Sequence, residues 1–171
     1  TKGVDGAYNV GYATLFSALV MREGESVKQG YESEAKREFH QLDPGRTAQE
    51  SLRKLGRHLG AKPLATGRRR AVFEPDVVAT LLALFTYAVS GKNLAEGTSR
   101  LEGKLGQKVA SELITIVDDA TLPHGLGSRP FDAEGTPAKR LVIVEEGVLR
   151  SFLHNSDTAA RTGPANTGHA K

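Results

Sequence analysis

The chain contains no cysteine and no tryptophan in its 171 residues, and only one methionine. Without cysteine it has no disulfide framework, no thiolate ligand for a metal ion and no thiol nucleophile. A reducing cytoplasm is the natural setting, and the cytoplasm is the compartment we expect. Aromatic residues are scarce, six Phe and four Tyr, so a core must rest on Leu, Val, Ile and Ala. Long hydrophobic runs are missing too. The most apolar one, Val77–Val89, is interrupted by Thr80, Thr86 and Tyr87. It falls short of the roughly 20 residues that cross a bilayer and reads as a buried core helix. Residues Thr1–Asn9 hold no apolar segment of the signal-peptide kind. A large excess of one charge is absent as well, since the net charge is +3. The basic excess is local: Arg53, Lys54, Arg57, His58, Lys62, Arg68, Arg69 and Arg70. Such a patch can meet phosphates. No aromatic residues interleave with it and no helix-turn-helix is legible, so a solvated helix face running into a charged linker is the expectation.

Along the chain, Lys2–Gly6 is turn-like and Tyr12–Met21 is a strand apolar on both faces. After a turn at Arg22–Glu25, Val27–Lys36 alternates strictly, with Val27, Gln29, Tyr31, Ser33 and Ala35 set against a mostly charged partner face. The first set is expected to cover a core and the charged set to face water, the two strands forming an antiparallel hairpin. A helix follows at Thr47–Leu59, with Ala48, Leu52, Leu55 and Leu59 at helical spacing, a capping box from Thr47 to Glu50, and Gly60 at its end. The stretch Lys62–Arg70, with Pro63 and Gly67, reads as a boundary. Beyond it come a short strand at Arg70–Phe73, the apolar helix opened by Pro75, and a Gly-broken segment Lys92–Gln107. Then come a strand at Leu113–Val117, a second hairpin of Arg140–Val144 and Val148–Leu153 around Glu145-Glu146-Gly147, and a helix beginning at Ser156. The chain stops without a closing element, as if taken from something longer.

Between the strands lies Leu122–Gly135, rich in Gly and Pro and carrying His124, Arg129, Asp132 and Glu134. A loop this long is functional or disordered, and so many backbone-shaping residues point to a shaped loop rather than a disordered one. Among the five histidines, none is paired at helical spacing in a His-Glu-x-x-His arrangement. His124 with Asp118, Asp119, Asp132 and Glu134 is a weak metal candidate, and His169 is another. Ser128 lacks the surroundings of a nucleophile elbow, and Gly103–Gly106 lacks the spacing of a phosphate-binding loop. The neighbouring carboxylates Asp118-Asp119 and Glu145-Glu146 point to opposite faces of their strands, so neither is a ready acid–base couple. Bottom-up, no active site is legible.

Several segments, taken in order, resemble the TldD/PmbA family, whose members go under the names modulator of DNA gyrase and microcin-processing metallopeptidase. They are Ala95-Glu96-Gly97 with Gly103-Lys104-Leu105-Gly106; Leu113–Val117 with Asp118-Asp119; Gly125–Pro130 with Phe131-Asp132 and Glu134-Gly135; Glu146–Leu149 with Ser151–Leu153; and Thr167–Ala170. The resemblance implies a middle fragment of α+β class. Residues 1–67 would be the C-terminal part of an N-terminal α/β domain, an antiparallel hairpin plus helix. Residues 68–171 would be the first part of a mostly β C-terminal domain with a buried helix. One branch of the family carries His-Glu-x-x-x-His on its central helix, two metal ligands and a general base. The matching helix here, Pro75–Val89, has neither His nor Glu. The chain is therefore similar to the PmbA (TldE) branch, whose members pair with a metal-bearing TldD subunit. That implies a non-catalytic partner subunit of a metallopeptidase acting on peptides or unfolded proteins, with no cofactor in this chain and zinc in the partner. It also implies a homo- or hetero-oligomer without membrane contact. Substrate-contacting residues are expected in Gly127, Ser128, Arg129, Asp132, Glu134 and Gly135: an extended peptide can add a strand to a sheet edge, Gly127 and Gly135 let backbone approach closely, and Arg129 can meet a carboxylate. Two alternatives stay open: a metallopeptidase in its own right, with ligands from outside these residues or from His124 and His169, and a nucleic-acid or gyrase-associated modulator using Arg53–Arg70.

Overall fold

The computed structural model describes Gly3 and residues 5–171; the turn expected at Lys2–Gly6 involves Lys2 and Val4, which lie outside the described residues. The fold is α+β with two small antiparallel sheets, and the chain divides into two units, Asn9–Arg70 and Thr1–Tyr8 with Ala71–Lys171.

In the first unit, β1 (Ala13–Glu23) pairs with β2 (Ser26–Lys36) from Ala13↔Lys36 to Glu23↔Ser26 across a turn of two residues. Gly24 takes φ +60 there, a region that a tight hairpin turn requires and glycine adopts without cost. Helix α1 (Pro44–His58) packs on the hairpin. Its cap differs from the expected one. Asp43, not Thr47, accepts the Arg46 amide at 2.9 Å, with Pro44 opening the first turn. Thr47, Ser51 and Leu55 form the buried stripe, while Leu52 and Leu59 are exposed.

The hairpin also presents the face opposite to the one expected. Gly30 and Glu34 are buried against α1, whereas Val27 and Tyr31 are exposed. Charge pairing explains the inversion. Glu34 meets Arg46 at 2.8 Å and Glu32 meets Lys54 at 2.8 Å, so the charged face is neutralised by the helix rather than by water. Small residues then let helix and strand approach closely: Ser51 Oγ donates to the Ser17 carbonyl at 3.1 Å, and Gly30 leaves room for the helix backbone.

In the second unit the sheet runs β3 (Ile116–Asp119), β4 (Arg140–Glu145), β5 (Val148–Leu149). Glu146 and Gly147 both take positive φ in the β4–β5 turn, as the expected hairpin requires. The core gathers Val89, Ile143, Val144, Leu149 and Phe152, with Phe85, Leu94 and Ile116 packed against it. No strand forms at Arg70–Phe73, and β5 stops at Leu149. The apolar helix α2 (Pro75–Ala88) has no buried residue, which overturns the expected buried helix. It is apolar all round, so one neighbour can cover only one stripe, and here only its C-terminal end reaches the core through Phe85. Two short helices complete the unit: α3 (Gly91–Ala95), and α4 (Ser156–Thr162) with an Asn155–Thr158 capping box. No helix among the described residues is long and apolar enough to cross a membrane.

Candidate functional site

The long loop after β3 folds back on itself through a few short-range bonds. The Ser128 hydroxyl donates to the Leu122 carbonyl at 2.6 Å, which makes it a turn residue. Gly127 has open space where a side chain would stand, so no close approach requires glycine there. Gly135 takes φ +80, and that does require it.

The two loop carboxylates are occupied by the fold itself. Asp132, buried, accepts the amides of Glu134, Thr136 and Ala170, each at 2.9 Å. Burial opposes its ionisation, yet those amides outweigh it and hold the carboxyl below its usual range. Glu134 accepts the Ser156 amide at 2.9 Å and the Asn166 side chain at 3.3 Å, and the hydrogen bonds to Ser156 lower its pKa most. Both side chains thus tie the loop to the last segment of the chain.

The remaining predicted residues converge on the same place. Arg129 donates to the Gly168 carbonyl at 3.2 Å. His169 bridges two elements, with Nε2 3.0 Å from Asp118 Oδ2 on β3 and Nδ1 2.9 Å from the Thr167 hydroxyl. The His169 hydrogen bond depresses the Asp118 pKa most, with the charges of His169 and Arg129 adding to it against the opposing effect of burial. Arg129, Asp132, Glu134, Gly135 and His169 all line one cleft of about 840 Å³, closed on another side by Tyr8 and Phe131 packed edge to face at 5.4 Å. This is an open groove of mixed apolar and polar lining.

Both His169 nitrogens are engaged, and among the described residues no three His, Cys, Asp or Glu side chains group as metal ligands. His124 lies exposed in a turn at φ 58, and it does not join Asp118, Asp119, Asp132 and Glu134 in such a group. Asp119 turns to Thr121, whose hydroxyl and amide lower its pKa. Helix α2 carries neither His nor Glu. The residues present do not fit a zinc ion.

His154, weighed in the sequence only as one of five histidines considered as metal ligands, has a different place in the fold. It is 1% exposed, and its Nε2 has no partner among the described residues. Nδ1 sits 3.3 Å from the Thr158 hydroxyl, so the network favours a neutral ring with its proton on Nδ1. Burial, with the nearby His169, pushes its pKa below the ordinary 6.5. In the interval below 6.5 the unfolded chain therefore binds more protons than the folded one, and stability decreases as the pH is lowered. Asp118, Asp132 and Glu134, depressed in the native state, extend the loss to lower pH. We expect the melting temperature to drop steadily on acidification from about pH 7 to about pH 4. Thermal melts across that range check this, and a flat or rising profile would contradict it.

Comparison with known proteins gives these features a family. Residues 66–171 match the model of the PmbA/TldA metallopeptidase C-terminal domain. A metalloprotease of Methanothermobacter thermautotrophicus is 35% identical over 167 residues, 92% of this chain and 36% of that protein. Metalloprotease PmbA of Escherichia coli O157:H7 is 27% identical over 158 residues, covering 92% of this chain and 35% of its own length. Among solved structures, a modulator of DNA gyrase from Bacteroides thetaiotaomicron superposes with TM-score 0.86 at 28% identity, over 94% of this chain and 37% of that one. TldE of Thermococcus kodakarensis gives 0.70 at 26%, over 92% and 36%. The chain thus spans little more than a third of the length of these relatives, and it belongs to the PmbA/TldD metallopeptidase family.

Proposed function

We propose that the chain forms part of a metal-free subunit that pairs with a zinc-bearing, TldD-like subunit in a cytoplasmic peptidase for peptides or unfolded proteins. The observation that carries this reading is α2. The resemblance places the metal helix of the other family branch at this position, and Pro75–Ala88 holds neither His nor Glu. In this reading 1–67 closes the family's N-terminal α/β domain and 68–171 opens its C-terminal domain.

The loop Gly127–Gly135 then serves substrate by shape. With Asp132 and Glu134 committed to holding the loop, Arg129 and the Tyr8–Phe131 pair are the groups that an extended peptide would meet in the cleft. Arg129 supplies a planar cation for a peptide carbonyl or carboxylate, and the rings supply apolar cover. His169 orients no proton toward the cleft, since both its nitrogens are engaged.

The test is peptidase activity of the whole protein, alone and mixed with a His-Glu-x-x-x-His subunit. Chelator-sensitive cleavage that needs both proteins is the expected result. Cleavage by this protein alone would instead make it a peptidase in its own right.

A further inference from the structure

We propose that His154 is an acid-sensitive latch: as a neutral ring it holds residues 166–170 in place beside the cleft, and on taking up a proton it releases them. The latch is a property of the fold and does not rest on the peptidase reading.

Two features of the ring make the closed fold and the protonated side chain exclude one another. The first is that Nε2 is sealed within the packing of this chain itself and meets no hydrogen-bond partner among the described residues. Further chain can add to that burial and cannot reach the atom. A neutral ring with its proton on Nδ1 tolerates the seal, because Nε2 then carries only an unused lone pair. A second proton would turn Nε2 into a charged donor with neither water nor an acceptor, a far costlier state. The second feature is that the ring has no room to turn in its seat. Thr158 meets Nδ1 on one side, and the Phe152 ring lies 6.4 Å away between centroids. Gly91 is so close that even a methyl group there would collide with Nδ1. Protonation therefore requires the side chain to leave its place.

No neighbouring charge offsets this. On α3 Lys92 is exposed, and on α4 Asp157 and Arg161 are exposed and paired with each other at 3.6 Å. Glu134 is spent on the Ser156 amide and on Asn166. The group that does act on His154 is His169, whose own charge opposes a second one nearby.

What the side chain holds is one wall of the cleft. The His154 amide donates to the Thr167 hydroxyl at 2.6 Å, and its carbonyl accepts the amides of Thr167 at 3.1 Å and His169 at 3.3 Å. That same short segment carries the Gly168 carbonyl that receives Arg129, the His169 ring that meets Asp118, and the Ala170 amide bound by Asp132. Moving residue 154 thus withdraws the support behind residues that line the cleft, while the core around Val144 and Leu149 stays packed.

Amide hydrogen exchange of the whole protein tests this. One histidine that titrates near 6.5 when released and stays neutral when closed should lower protection at Thr167 and His169 by about 20-fold between about pH 7 and about pH 5, after correction for intrinsic rates. Protection at Val144 should change far less. His154→Asn keeps a donor in place of Nδ1 and cannot become charged, so it should lose most of that pH dependence. A reading that needs no variant comes from the imidazole nitrogens of His154 by nuclear magnetic resonance. The ring should be neutral with its proton on Nδ1 at neutral pH, and should become charged only in step with exchange at the two amides. Unchanged protection on acidification would overturn the proposal, as would an equal loss at Val144. So would an asparagine variant with the full pH dependence, which would assign it to His169, or a ring that is protonated while the two amides stay protected.

Discussion

Gly30→Val is expected to unfold the hairpin and α1 together. A side chain at Gly30 would stand inside contact distance of the Ser51 carbonyl oxygen and 2.5 Å from the Leu55 nitrogen. Both atoms belong to the backbone of α1, so no rotamer change gives relief and the helix must lift. Lifting it uncovers Leu55, Thr47 and Ser51 and pulls Lys54 and Arg46 from Glu32 and Glu34. Ordinary overpacking costs ~1–3 kcal/mol. With the helix displaced as well, about 3 kcal/mol or more is expected, a fall of at least ~10 °C in Tm for a unit of this size. Gly30→Ala meets the same backbone atoms and should cost most of that. Thermal and urea melts measure it, and an alanine variant within ~0.5 kcal/mol of the parent would show that helix and strand are not in such close contact.

Asp132→Ala should have the second large effect. The substitution leaves the amides of Glu134, Thr136 and Ala170 inside the fold with no acceptor. An unmade buried hydrogen bond costs ~1–3 kcal/mol, and water can replace part of three such bonds, so about 3–5 kcal/mol is expected. The location of the loss matters as much as its size. Asp132 joins the loop to the segment that carries His169, and amide hydrogen exchange at Thr136 and Ala170 should rise far more than at core positions such as Val144. Loss of stability below ~1 kcal/mol with unchanged exchange at those two amides would mean that Asp132 does not hold the cleft together.

Periodicity told much about elements and little about what covers them. The alternation of β2 and the turn signal at Arg22–Glu25 made the hairpin legible, while its register came from the structure. Period-2 alternation divides a strand into two faces without saying which is covered, and here the charged one is, because Lys54 and Arg46 on α1 sit where Glu32 and Glu34 need them. The same limit applies to α1, whose leucine spacing suggested one stripe while Thr47 and Ser51 made another through their hydroxyls. Helix α2 is apolar on every side, a pattern that gives no direction at all.

The loop Leu122–Gly135 stood out by composition alone, and the structure places five predicted residues, Arg129, Asp132, Glu134, Gly135 and His169, around one cleft. Their roles were not legible. Whether a loop carboxylate binds a ligand or a backbone amide depends on chain that returns from far away, and Ala170 and Ser156 do so here. The Asp118–His169 bond spans 51 positions, a separation that no local spacing encodes. Only the resemblance, which contained both Asp118 and Thr167–Ala170, hinted that these segments belong together.

The central claim is that the metal of this family's peptidases is not held by this chain. Its most direct test is the zinc content of the whole protein, purified without a partner from zinc-supplemented cells and measured by plasma mass spectrometry. The account predicts zinc well below one equivalent, with no change after treatment with a chelator. A full equivalent per chain, removed by chelator and restored by zinc, would contradict it.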